Sequence, residues 1–296
     1  MTRAAILGCG YVGLELGRRL VDAGHRVVGV RRSDAGLAAV EDAGLEAVRA
    51  DVTEPSSLAA VPDVDWLVFA ASSGGRGAEA ARATYVDGLE ASIDAFAARA
   101  DPPDRLVYTS STGVYGDHGG AWVDESTALR PTTAKTRVLA AAERIALGAR
   151  LSGIDGTVAR FAGLYGPDRY RLERYLDGPV TEGYLNMVHR DDAAGAVAHL
   201  LEADHARGEP VLVVDDEPVD RWAFADWLAA ECGWEPPAKV TREKRLAESD
   251  LSEAARRRLE TSKRCSNDRL RGLGYDLRYP TFREGYRDAV DAYRVD

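Results

Sequence analysis

The feature that most constrains this 296-residue chain is Gly8-Cys9-Gly10-Tyr11-Val12-Gly13, set between an apolar run from Ala4 to Leu7 and the start of a helical pattern. Each glycine has a physical reason: Gly8 permits a tight turn, Gly10 leaves space for a pyrophosphate near free helix amides, and Gly13 lets helix and strand pack closely. A glycine hexapeptide alone is weak. Between a strand and a helix it reads as a dinucleotide-binding turn with Tyr11 and Val12 inside it. The bland alternative is a tight turn that has kept its shape without a ligand.

The pattern then repeats. Apolar runs at His25 to Val30, Leu45 to Val48, Val64 to Ala71, Arg105 to Tyr108 and Ile154 to Phe161 alternate with helical segments, including an alanine-rich one from Glu79 to Ala98 and a long one from Thr132 to Leu147. Strand, helix, strand with right-handed crossovers predicts an α/β protein with a Rossmann-type doubly wound parallel sheet. Beyond Gly166-Pro167 the pattern is less regular. It offers a short helix from Arg169 to Leu176, an amphipathic helix from Asp191 to Asp204, a strand from Pro210 to Val214, a tryptophan-containing helix at 220–231, a charged stretch at 242–260 and an irregular end. Residues 1–165 are therefore expected to be mainly the nucleotide-binding core. Residues 166–296 are expected to form a smaller mixed distal substrate lobe with segments returning to the core.

With 38 basic and 48 acidic side chains the formal charge is −10, which disfavours nucleic acid as a partner. The start, Met1-Thr2-Arg3, runs into a strand without room for a signal peptide, and no apolar run is long enough to span a bilayer. Cys9, Cys232 and Cys265 have neither pairing nor metal spacing. The expectation is a cytoplasmic protein with reduced thiols and no metal.

The second strand ends Val30-Arg31-Arg32-Ser33, with no acid there to accept ribose hydroxyl bonds. Arginines and a serine hydroxyl can hold a 2′-phosphate, so the sequence favours NADP(H), with NAD(H) as the alternative. Asp51 can meet the adenine amino group and Val52 can pack on the ring, although Asp51 fits an Asx turn almost as well. Ala70 and Ala71, at the end of the fourth strand, complete the expected cofactor wall.

These segments, together with TSSTGVYG at 109–116, RFAGLYGP at 160–167 and NMVHRDDAA at 186–194, resemble the atypical and extended short-chain dehydrogenase/reductases, particularly their nucleotide-sugar epimerase/dehydratase relatives. The resemblance covers nearly the whole chain. It implies that Ser111 contacts a substrate oxygen, that Phe161 borders the nicotinamide, and that Tyr165 turns toward the substrate side. Thr112, Tyr115 and His118 are expected on the same face as Ser111. The departure from the family is sharp: Lys135 stands at the usual catalytic tyrosine position and Leu139 at the usual lysine position. Ser111, Tyr115 and Lys135 remain the candidates for catalysis, with Thr112, His118, Tyr165, Asn186 and Arg190 for substrate contact. Asp191 and Asp192 are expected to cap the helix that follows them.

The resulting expectation is an NADP(H)-dependent oxidoreductase or sugar-nucleotide epimerase/dehydratase-like enzyme acting on an alcohol or carbonyl of a small molecule. The missing tyrosine and lysine keep a non-catalytic NADP(H) sensor or protein-interaction module as the alternative, and a homodimer is compatible with either.

Overall fold

The computed structural model describes residues 1–75, 77–248, 251, 256 and 259–295, so part of the charged stretch at 242–260 lies outside the described residues. Seven strands form one parallel sheet: β1 (Arg3–Leu7), β2 (Arg26–Arg31), β3 (Glu46–Arg49), β4 (Trp66–Phe69), β5 (Arg105–Ser111), β6 (Asp155–Phe161) and β7 (Pro210–Val213). Their spatial order is β7-β6-β5-β4-β1-β2-β3. The order reverses between β1 and β4, and in such sheets the carboxyl strand ends open a crevice at that point.

The strands are apolar on both faces because helices cover both. Ala4, Ala5, Ile6 and Leu7 are all fully buried in β1. One face packs on α1 (Tyr11–Asp22), with Leu16 and Leu20 among its buried residues; the other packs on α3 (Gly88–Ala97), through Leu89, Ile93 and Phe96. Between these two helices in sequence lies α2 (Asp34–Asp42), capped by Ser33. Next come α4 (Ala134–Gly148), which joins the α3 side of the sheet, and α5 (Arg190–Glu202), which joins the α1 side.

Three differences from the sequence reading matter for the site. β5 runs to Ser111 rather than ending at Tyr108, because Thr109, Ser110 and Ser111 pair in register with Ala159, Arg160 and Phe161 of β6. The expected helix at 79–98 is interrupted by a π-helical turn, Ala83–Asp87, before α3 begins. Finally, the end of the chain is not irregular: α7 (Phe282–Val295) follows α6 (Arg221–Cys232), and Phe282, Tyr286 and Val290 bury one face of it. A Thr281 to Glu284 capping interaction starts α7, with the Glu284 carboxylate accepting from the Thr281 amide at 3.1 Å.

The distal core is aromatic. Tyr165 stacks on Tyr286 at 4.9 Å between ring centroids, and Phe224 and Trp227 meet Phe282 edge-on. Trp227 thus packs as a core residue, while Trp222 donates its indole N–H to the Val180 carbonyl. Among the described residues no helix is long and apolar enough to cross a membrane.

Candidate active site

A cleft of about 1210 Å³ follows the carboxyl ends of the sheet from the Gly8–Gly13 turn to Ser111, Phe161 and Lys263. The turn at its near end is built for a close backbone approach. Gly8 has φ +82°, and a Cβ there would lie 2.2 Å from Ala71 Cα; one on Gly13 would lie 3.0 Å from Ile6 Cγ2. Gly10 is the N-cap of α1, and no side chain caps that helix end, which leaves its first amides for an anion. Tyr11, Val12, Val52, Ala70 and Ala71 line the same stretch. These residues fit a dinucleotide.

The basic edge beyond β2 is less free than its sequence implied. Ser33 Oγ accepts from the Gly36 amide at 3.3 Å as the cap of α2. Arg32 pairs with Asp51 at 3.2 Å, and the Arg31 guanidinium lies over Gly10. Asp51 also forms the Asx turn, accepting from the Thr53 amide and hydroxyl at 3.0 and 2.8 Å. Burial works to raise the Asp51 pKa, but the bonds from Thr53 and Arg32 outweigh it and hold the carboxyl below its ordinary range. A carboxylate therefore already answers the Arg32 charge.

At the far end, Ser111 Oγ accepts from the Gly113 amide at 3.1 Å, capping the 3-10 turn Thr112–Tyr115. That bond uses a lone pair and leaves the hydroxyl proton for a ligand oxygen. Lys135 is exposed on the cleft wall, and Leu139, one turn on, is a buried apolar part of it.

Other expected site residues lie elsewhere. Tyr115 is fully buried; its hydroxyl donates to the Asp124 carbonyl at 2.7 Å and accepts from Arg160 at 2.6 Å. Burial pushes its pKa well up, despite the opposing Arg160 charge, and it does not line the cleft. The expected proton-transfer role for Tyr115 therefore lacks geometry. Thr112 is buried against Cys265, and the His118 ring bonds the Tyr115 carbonyl at 3.1 Å. Tyr165 belongs to the distal aromatic core, and Arg190 pairs with Asp191 at 2.9 Å. Asn186 bonds the backbone on both sides of Arg264, donating to the Lys263 carbonyl at 3.0 Å and accepting from the Cys265 amide at 2.6 Å. None of these five lines the cleft.

The expected caps of α5 change too. His189 is the cap, its Nδ1 accepting from the Asp191 amide at 3.2 Å, whereas Asp192 holds the tail by accepting from the Arg278 and Tyr279 amides at 2.7 and 2.8 Å.

Sequence reasoning passed over Tyr85 and Thr136, which line the cleft; Lys263 lines it too, from the segment at 263–267 whose basic residues were expected either to bind a substrate phosphate or to fasten the tail to the acidic body. Tyr85 sits in the π-helical turn, and its hydroxyl oxygen accepts from the Ser73 amide at 3.2 Å. Such turns recur at functional sites, but nothing in the sequence marks where one will form.

A family profile described as NAD(P)H-binding matches residues 8–204. The protein YeeZ of Escherichia coli K12 is 30% identical over 289 residues, covering 95% of this chain and 97% of its own. A solved structure from Methylobacillus flagellatus, provisionally described as an NAD-dependent epimerase/dehydratase, is 31% identical, covers 99% of each chain and superposes with a TM-score of 0.78. DesIV, a dTDP-glucose 4,6-dehydratase from Streptomyces venezuelae, here a double mutant with NAD bound, shares 21% identity and the same fold over 99% of this chain and 97% of its own, at a TM-score of 0.77. Four structural neighbours, 16–21% identical, are solved with NAD bound: two forms of DesIV, the dTDP-glucose 4,6-dehydratase of Bacillus anthracis and the UDP-glucuronic acid 4-epimerase of Bacillus cereus. This overturns the expected preference for NADP(H); at the basic edge itself, Ser33 is engaged as a helix cap and Arg32 is paired with Asp51.

Proposed function

The chain belongs to the NAD(P)H-binding family, within the extended short-chain dehydrogenase/reductase and epimerase/dehydratase-like superfamily, and from that premise we propose that it is an NAD-dependent enzyme oxidising or reducing an alcohol or carbonyl carbon of a sugar or sugar nucleotide. The observation that carries this reading is the single cleft joining an uncapped helix N-terminus and glycine turn to the Ser111 hydroxyl. When bound, the cofactor would supply the hydride acceptor for oxidation as NAD+ and the hydride donor for reduction as NADH. The residues of the turn would hold its pyrophosphate, Asp51 and Val52 would meet the adenine, and Phe161 would border the nicotinamide. Ser111 donates a hydrogen bond to the substrate oxygen, strengthening as charge grows there.

The proton needs another carrier than the family's tyrosine. Tyr85 is our candidate: it lines the cleft, and its oxygen accepts from the Ser73 amide, which leaves the hydroxyl proton to be passed on. Lys135, exposed on the wall, serves the substrate rather than the proton.

A panel of polyols, carbonyl compounds and nucleotide sugars, read by nicotinamide absorbance, tests the proposal. Ser111→Ala is expected to lower kcat by about 10²–10³ and Tyr85→Phe by about 10²–10⁴, with NAD affinity preserved. A Lys135→Ala loss as large as either would reject this assignment. The second reading, an NAD-binding sensor, is favoured by Lys135 and Leu139 where the catalytic pair should stand; NAD binding without turnover across the panel would select it.

A further inference from the structure

Among the described residues, Lys263 is a buried ammonium group with no ion-pair partner. The residue is 8% exposed, lines the cleft and, among those residues, makes one hydrogen bond, from Nζ to the Gly116 carbonyl at 3.3 Å. Ammonium has three protons to donate. Among the described residues no carboxylate forms an ion pair with it. Cys265 offers no charge, since burial pushes its thiol up to about 12, and Asp117 Oδ1 is occupied by the Ser262 and Gly119 amides at 2.7 and 3.3 Å.

The position is nonetheless firmly built. Arg264–Cys265 pairs in parallel with Trp122–Val123, the His118 and Gly120 amides both donate to the Ser262 carbonyl at 3.0 Å, and Asn186 bonds the backbone on either side. A buried charge that lacks a partner weakens a fold, so such careful placement points to a partner that arrives from outside. The glycine turn, where the pyrophosphate is expected, lies at the other end of the cleft.

We infer that Lys263 is the counter-charge for an oxyanion on the substrate, a carboxylate or a phosphate, held at the Ser111 end of the cleft. The inference rests on that cleft being a substrate site, and it makes the substrate an acid or a phosphate ester rather than a neutral sugar. Asn186, expected to touch substrate, is on this account a positioning residue. Burial also pulls the Lys263 pKa down, and the nearby Asp117 charge does not cancel that effect.

Calorimetric titration of the NAD-loaded full chain with inorganic phosphate and, separately, with acetate tests this, because NAD fills the competing anion site. The wild type is expected to bind at least one probe, and the probe preferred tells phosphate from carboxylate. Lys263→Met is expected to weaken that binding at least tenfold while its Tm without probe stays equal or rises. Lys263→Gln can keep the Gly116 bond without the charge and is expected to lose the probe equally, which covers the case of a poorly folding methionine variant. Equal probe affinity in the wild type and the glutamine variant, or no binding of either probe to NAD-loaded wild type, overturns the inference. Failure of NAD itself to bind is a separate readout and counts against the proposed function instead.

Discussion

Ser110 and Ser111 are neighbours whose hydroxyls meet different partners, because successive side chains on a strand point to opposite faces. Both residues line the cleft, but Ser110 donates to Glu143 at 2.7 Å inside the protein, whereas Ser111 Oγ accepts from the Gly113 amide and keeps its proton. Glu143 is in turn held by Arg160, with bonds of 3.1 and 2.8 Å, and Arg160 reaches the Tyr115 hydroxyl. Both members of this ion pair are at least 95% buried, so removing one leaves a bare charge where water cannot follow. Glu143→Met is therefore expected to cost about 3–5 kcal/mol in urea unfolding; a loss below about 1 kcal/mol would mean that Arg160 finds another partner. The motif around Tyr115 was legible in sequence, but the direction of its hydroxyl was not. That direction follows from Arg160, 45 positions away, arriving on the adjacent strand.

Elements were legible where local chemistry decides them. Ser33 caps α2 as its sequence suggested, and Thr133 caps α4 in a box with Thr136, next to the expected start. The start of α5 was misread because the acids there are drawn into other bonds and a histidine takes the cap. His189 is buried as neutral imidazole, with burial pushing its pKa down from 6.5 to about 4. Below pH 6.5 the unfolded chain takes up this proton first. The folded state then loses stability as pH falls toward 4, by up to about 1.4 kcal/mol per pH unit. His189→Asn keeps an acceptor for the Asp191 amide but cannot titrate. Its urea midpoint is expected to fall less than that of wild type between pH 7 and pH 5; parallel slopes in the two proteins would remove His189 as the source.

At the scale of the molecule, the sheet and the aromatic lobe are built on different contacts. Phe282 is fully buried against Phe224 and Trp227, at 5.1 and 4.9 Å between centroids, and none of the three lines the cleft. Phe282→Ala is expected to destabilise the protein by about 3–5 kcal/mol through the cavity it leaves. NAD affinity by fluorescence titration is expected to stay within about threefold (under about 0.7 kcal/mol), since each tenfold is about 1.4 kcal/mol and no cofactor contact is removed; loss of NAD binding in the folded variant would show that lobe and sheet are one energetic unit. By itself, the sequence determined the parallel sheet, the dinucleotide turn and the loss of the usual catalytic pair, because strand period, glycine conformation and residue identity are local properties. Tertiary structure decided which polar groups reach the cleft. Tyr85 comes from a break in a helix and Lys263 from the far end of the chain, while Arg32 was neutralised by Asp51 across two strand ends. Those outcomes depend on which side chains meet across many residues of sequence, and the same long-range pairing drew Tyr115 and Asn186 away from the substrate.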